Sequence, residues 1–119
     1  MCDIEQLIER IKKRPGMYLG KKDINVKELY MFLCGFYVAK SLNKVETNLD
    51  TSFYRNFSYY VLEWLKNKGK LNQDEFTFIW YKYFDSYDEE GITLFYAACE
   101  SFFSEYHSKS LKEKYYENE

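Results

Sequence analysis

Four groups of side chains in this 119-residue chain carry chemical potential. The first is basic: Arg10, Lys12, Lys13 and Arg14, joined by Lys21 and Lys22 across Pro15-Gly16-Met17-Tyr18-Leu19-Gly20. Backbone N–H groups of a glycine-containing turn beside clustered cations can bind a phosphate. The segment lacks the Gly-Lys-Ser or Gly-Lys-Thr ending of a Walker loop, however. A structural account covers the turn Arg14, Pro15, Gly16, Met17, Tyr18 and Gly20. Pro15 stops a helix, the glycines permit tight turns, and Met17, Tyr18 and Leu19 fold back onto the core.

The second group is acidic, Asp85-Ser86-Tyr87-Asp88-Glu89-Glu90. It lacks the alternating ligands and central glycine of a calcium loop. Carboxylates gather at helix N-termini because they complement the dipole, by about 0.3–1 kcal/mol each. Contact with a basic partner is compatible with that role. The third is His107, the sole histidine, at the polar end of a helix, where it complements the dipole. The fourth is Cys2, Cys34 and Cys99, odd in number and far apart, which supports neither a disulfide framework nor, with His107, a zinc site. Cys34 and Cys99 lie among apolar neighbours and read as core residues. No catalytic set assembles, and neither a cofactor nor a metal is expected.

Composition narrows the classes. Aromatic residues make up 21% of the chain, with 13 Tyr and 10 Phe against a single Pro, which is contrary to disorder. A formal net charge of -2 lacks the basic surplus of a dedicated nucleic-acid binder. No apolar run approaches the roughly 20 residues of a membrane span. The N-terminus lacks the features of a signal peptide, so a cytoplasmic protein is expected.

Helical spacing runs almost throughout. Ile4, Leu7, Ile8 and Ile11 form one face of a first helix, capped by Asp3 and ended at Arg14-Pro15. Asn25 with Glu28 three residues on predicts a capping box and a second helix striped by Val26, Leu29, Tyr30, Leu33, Phe36 and Tyr37. Gly35 within it marks a close helix contact. Residues 43–50 read as a polar connection. A third helix is expected from Thr51 or Ser52, burying Phe53, Phe57, Tyr60, Val61, Trp64 and Leu65 and stopping at Gly69. Asn72 caps a fourth, with Phe76, Ile79, Trp80, Tyr83 and Phe84 on its face. The β-favouring run from Phe76 to Tyr81 leaves a strand open, although a lone strand cannot satisfy its edges. Ser86 or Asp88 caps a fifth helix with Ile92, Phe95, Tyr96, Cys99, Phe102, Phe103 and Tyr106 inward. The expectation is an all-α, compact single-domain bundle of about five amphipathic helices over residues 1–119, with 109–119 a charged tail.

Two resemblances meet at the basic segment. Residues 7–20, with Arg14-Pro15-Gly16-Met17-Tyr18-Leu19-Gly20, look like the start of the ATPase domain of gyrase B and type II topoisomerases. That likeness stops near residue 20. The acidic Asn-containing helix and the Gly-rich lid of that family have no counterpart, so ATP hydrolysis is rejected. The longer resemblance takes in Arg14 to Tyr18, the helix Leu29 to Phe36, a Phe-rich middle helix, Trp80, and the acidic-start helix Asp88 to Phe103. It is to small bacterial proteins of poorly characterised function, some of which resemble immunity proteins of polymorphic-toxin or contact-dependent-inhibition systems. The resemblance implies an all-α fold and toxin binding without catalytic residues.

The leading functional expectation is a non-catalytic binding protein, an immunity protein that occludes the active site of a cognate toxin domain, such as a basic nuclease. Asp85, Tyr87, Asp88, Glu89 and Glu90 are the candidate partner-binding residues, because an acidic patch speeds and orients docking of a basic partner. The tyrosines off the core stripes, Tyr54, Tyr59, Tyr81, Tyr87, Tyr115 and Tyr116, add interface-forming side chains. A homodimer is compatible with exposed aromatics. The alternative is a nucleic-acid or phosphate-ligand binding module built on the basic segment around Arg14.

Overall fold

Local capping chemistry starts each of the first three long helices of the computed structural model, which describes residues 2–71 and 76–108. Helix α1 (Ile4–Lys13) opens on a capping box in which Asp3 accepts from the Gln6 N–H at 2.8 Å and Gln6 answers from its own side chain. Its face of Ile4, Leu7, Ile8 and Ile11 is buried. The expected stop at Arg14-Pro15 is where it ends. Instead of a tight turn, Pro15 then opens a five-residue helix, α2 (Pro15–Leu19), which Gly20 closes in the left-handed region at φ 77°. Tyr18 and Leu19 pack on the core as expected, but Met17 points outward and is exposed. A helix places successive side chains 100° apart, so three consecutive residues cannot share one face.

Helix α3 (Val26–Leu42) begins with the capping box read from Asn25 and Glu28. Gly35 does not mark a contact within the chain. It is exposed, and a Cβ there would meet nothing within 4 Å. A glycine inside a helix costs about 0.5–1 kcal/mol relative to Ala.

Helix α4 (Asn48–Asn67) starts a turn earlier than expected, through a third capping box between Thr47 and Asp50. Residues 48–50 therefore belong to the helix and not to the connection. It ends as expected at Gly69 (φ 65°), where the Gly69 and Lys70 N–H groups donate to the carbonyls of Lys66 and Leu65.

The reason for the early start is a buried ion pair. The Asp50 carboxylate accepts from the Ile4 N–H (2.8 Å), the Thr47 N–H (2.9 Å) and Lys40 Nζ (2.5 Å). Lys40 also donates to the Cys2 carbonyl at 2.9 Å. Both residues are buried, Lys40 to 3% and Asp50 to 2% exposure. One polar knot thus ties the start of α1, the end of α3 and the start of α4. Burial alone would raise the Asp50 pKa. The bonds from Lys40, Thr47 and Ile4 outweigh it and hold the carboxyl below its ordinary value of 3.8.

The expected fourth amphipathic helix is absent from its described residues, 76–84. Among the described residues, this stretch holds two short 3-10 turns, Trp80–Tyr83 and Asp85–Tyr87, and no strand. The proposed cap Asn72 lies outside the described residues. Side chains satisfy the backbone here in place of helical bonding. Ser58 Oγ donates to the Phe78 carbonyl, the Thr77 N–H to the Tyr83 hydroxyl, and the Ile79 N–H to Thr77 Oγ1. Trp80, Tyr83 and Phe84 still reach the core, whereas Phe76 and Ile79 are only partly buried.

Helix α5 (Glu89–His107) buries Phe95, Ala98, Cys99, Phe102 and Phe103, with Ile92, Tyr96 and Tyr106 half-covered at the margins. Asp88 precedes it but makes no side-chain cap. Gly91 is needed at the crossing of this helix with the Phe84 turn, because a Cβ would stand 2.8 Å from the Phe84 carbonyl oxygen. The result is an all-α single-domain bundle, and the described residues hold five α-helices, α2 among them. Its centre is aromatic. Trp80 stacks on Phe95 at 4.9 Å, and Phe57 and Phe53 meet Trp80 and Phe102 edge to face. No helix among the described residues is long and apolar enough to cross a membrane.

Candidate partner-binding face

The acidic residues singled out by sequence reach the surface where α5 begins. Asp85, Asp88, Glu89 and Glu90 are exposed, and Tyr87 is half-buried. The two short turns bring the chain round so that Asp85, Asp88 and Glu89 face Asp23 and Lys27, ahead of and within the first turn of α3. Between them runs a groove of about 470 Å3 floored by Val26, Phe84 and Ile92. Glu90 and Tyr87 stand outside its lining. None of Asp23, Asp85, Asp88 or Glu89 enters an ion pair among the described residues, and Asp88 does not spend its carboxylate on capping. Asp23 was missed by sequence reasoning, since nothing local joins it to residues 85–90. Asp88 also holds an uncommon backbone for a non-glycine residue, with φ 49° and ψ -121°.

Lys27 bridges this groove to an aromatic one. Its Nζ lies 6.0 Å from the centre of the Tyr81 ring, and Tyr81 packs on Tyr30 at 5.2 Å. Tyr30 lines a second groove of about 360 Å3 with Cys34, Tyr54, Arg55, Tyr59 and Phe78 over a Trp80 floor. Its walls are preorganised by ring packing. Tyr54 stacks on Tyr37 at 4.2 Å, and Tyr59 stacks on Phe76 at 4.1 Å while meeting Phe78 edge-on. Of the off-stripe tyrosines, Tyr54 and Tyr59 come together here, Tyr81 adjoins them, and Tyr87 does not. Tyr115 and Tyr116 lie outside the described residues.

Titration behaviour around these rings is set by burial. It pushes the Tyr30 hydroxyl up to about 12, helped by Cys34 and the nearby Tyr54 and Tyr81. It also raises the Cys34 thiol, against a smaller lowering from the Tyr30 hydrogen bond. Cys34 is half-buried at the groove, not a core residue, whereas Cys99 is buried and its thiol lies well above the ordinary range. At neutral pH neither thiol is a ready nucleophile.

Three members of the basic segment are engaged elsewhere. Lys21 pairs with Glu28 at 2.8 Å, while Lys12 lies 5.4 Å from the centre of the Tyr96 ring. Lys12 and Lys13 turn instead toward the α1–α5 groove, among Glu5, Glu9 and Glu100. His107 shares that groove and, beyond complementing the helix end, its Nε2 meets Glu5 Oε1 at 2.8 Å. No group of three or more His, Cys, Asp or Glu side chains among the described residues is placed to hold a metal ion.

The chain matches no protein-family model, no curated protein and no solved structure.

Proposed function

We propose that this chain is a non-catalytic protein-binding protein, and that its partner is a basic domain of the toxin kind, neutralised in the cytoplasm by occlusion. The observation that carries the reading is the groove holding Asp23, Asp85, Asp88 and Glu89, four carboxylates outside any ion pair among the described residues. With Lys27 the cation in its lining, the groove keeps a negative surplus, and a concave surface of net charge attracts the opposite charge and orients it on approach. The adjoining tyrosine groove supplies the apolar, hydrogen-bonding side chains that dominate interface energies. Occlusion needs no chemistry from this chain: it covers the partner's active site or the approach of its substrate.

Co-expression with the product of the adjacent upstream gene tests this. A stable complex is expected, with toxicity when that product is expressed alone. Reversing charge with Asp88→Lys and Glu89→Lys should slow association at least about tenfold at low salt and much less at high salt. Lys13→Ala with Arg14→Ala should leave binding intact. A harmless upstream product that does not bind would refute the reading.

A further inference from the structure

A groove of about 700 Å3 runs between α1 and α5, which pass it in opposite directions. His107 at the end of α5 meets Glu5 at the start of α1 at 2.8 Å, and Lys12 near the end of α1 reaches the Tyr96 ring of α5. Ile8, Cys99 and Phe103 form the floor, each at most 4% exposed. The charges are ordered along the groove. Glu5 and Glu9 stand at the His107 end, and Lys12 and Lys13 stand at the far end. At 1.5 Å per residue, Lys13 lies about 12 Å beyond Glu5, and Glu100 lies about 10 Å back along α5 from His107, between the two ends. Arg10 and Glu105 lie outside the lining. Of the groove's carboxylates and lysines, only Glu5 enters an ion pair among the described residues, with His107.

The described residues stop at Ser108, beside the acidic end of this groove, and the sequence continues in a complementary order. Lys109, Lys112 and Lys114 come first, with Glu113 among them, and Glu117 and Glu119 follow. Leu111, Tyr115 and Tyr116 are set between the charges. We propose that residues 109–119 double back from the end of α5 and occupy the α1–α5 groove. The lysines then meet Glu5, Glu9 and Glu100, the two later glutamates meet Lys12 and Lys13, and Leu111 and a tyrosine cover the apolar floor. A positive surplus lies on the acidic end and a negative one on the basic end, whereas the reverse order sets like charges together. Covalent continuity selects this segment over a separate partner. It begins beside the groove, so its effective concentration there is on the order of millimolar, and it is long enough to reach Lys13. This inference is independent of the toxin reading, and either can fail alone.

Zero-length carbodiimide coupling of the full chain at low micromolar concentration, read by peptide mapping, is the test. The expected links join Lys12 or Lys13 to Glu117 or Glu119, beside a Lys21–Glu28 link that controls for the chemistry, that pair standing at 2.8 Å. In a mixture of isotope-labelled and unlabelled chains, each groove link should join residues of one chain. Lys112→Glu with Lys114→Glu leaves all of these reacting groups in place and should cut the groove links at least about threefold relative to the control. Adding Glu9→Lys and Glu100→Lys should restore them. Both positions are exposed, so the swapped chain folds as the parent does, which circular dichroism checks. The control link without the groove links, or groove links of mixed isotope, overturns the proposal. So does a lysine reversal without effect, or a charge swap that fails to restore the links.

Discussion

Replacing Asp50 by Ala removes the acceptor that the Ile4 N–H, the Thr47 N–H and Lys40 share. Lys40 is then a buried ammonium whose remaining partner is the Cys2 carbonyl at 2.9 Å. Breaking a buried pair on one side costs about 3–5 kcal/mol, because the surviving charge is left without compensation. A domain of this size has about 6–18 kcal/mol of stability in all, so the loss is a large part of it. With an unfolding entropy of about 250 cal/mol/K for the whole chain, the expected fall in Tm is about 12–20 °C. Thermal and urea unfolding at pH 7, followed by circular dichroism, measure it. Lys40→Met with Asp50→Leu should recover part of the loss, since neither charge is then desolvated while the Ile4 and Thr47 N–H groups still lack their acceptor. The double-mutant cycle should show coupling of at least about 2 kcal/mol. The pair also dictates a pH dependence. The folded-state pKa of Asp50 lies below its ordinary 3.8, so its contribution is complete above that value and disappears as pH falls through the folded-state value. Asp50→Asn should remove that part of the acid slope. An Asp50→Ala protein within about 1 kcal/mol of the parent, or single substitutions that simply add, would refute the reasoning.

Two glycines should respond with opposite sign when changed to Ala, as read by Tm. Gly91→Ala places a Cβ 2.8 Å from the Phe84 carbonyl oxygen and should cost about 1–3 kcal/mol, while Gly16→Ala enters open space on α2 and should stabilise by up to about 1 kcal/mol. Asp88→Gly relieves the backbone at φ 49° and, after the entropy cost of glycine, should raise stability by up to about 2 kcal/mol. The same change removes a groove carboxylate, so stability should rise as the association rate with a basic partner falls.

The elements that were legible in sequence are those ruled by neighbours three or four residues away. Asp3 with Gln6 and Asn25 with Glu28 cap their helices through bonds that span three positions, so side-chain type and spacing suffice to find them. Thr47 with Asp50 obeys the same rule and escaped because Asn43 to Asp50 reads as polar. A signal was present nonetheless: Lys40 falls on the apolar stripe of α3, where a charge needs a partner. The acidic part of the candidate site was equally visible in residues 85–90, while Asp23 and Lys27 join it only through the fold.

Tertiary structure alone decided the rest. Residues 76–84 have helix-compatible spacing and strand-favouring composition, and neither prevails. Ser58 binds the Phe78 carbonyl from helix α4, Tyr83 takes the Thr77 N–H within the stretch, and Trp80 settles against Phe57 and Phe95. Local preference amounts to tenths of a kcal/mol per residue, whereas burying a large aromatic side chain is worth about 1.5–3 kcal/mol, so packing prevails where the two conflict. The same imbalance separates the two sides of α3. Its apolar residues run round the helix, and only the positions of α4, α5 and the Trp80 turn decide which side is covered and which stays exposed. Helix formation and capping are local events written in adjacent residues. Which face is covered, and which charges meet, depends on segments tens of residues apart.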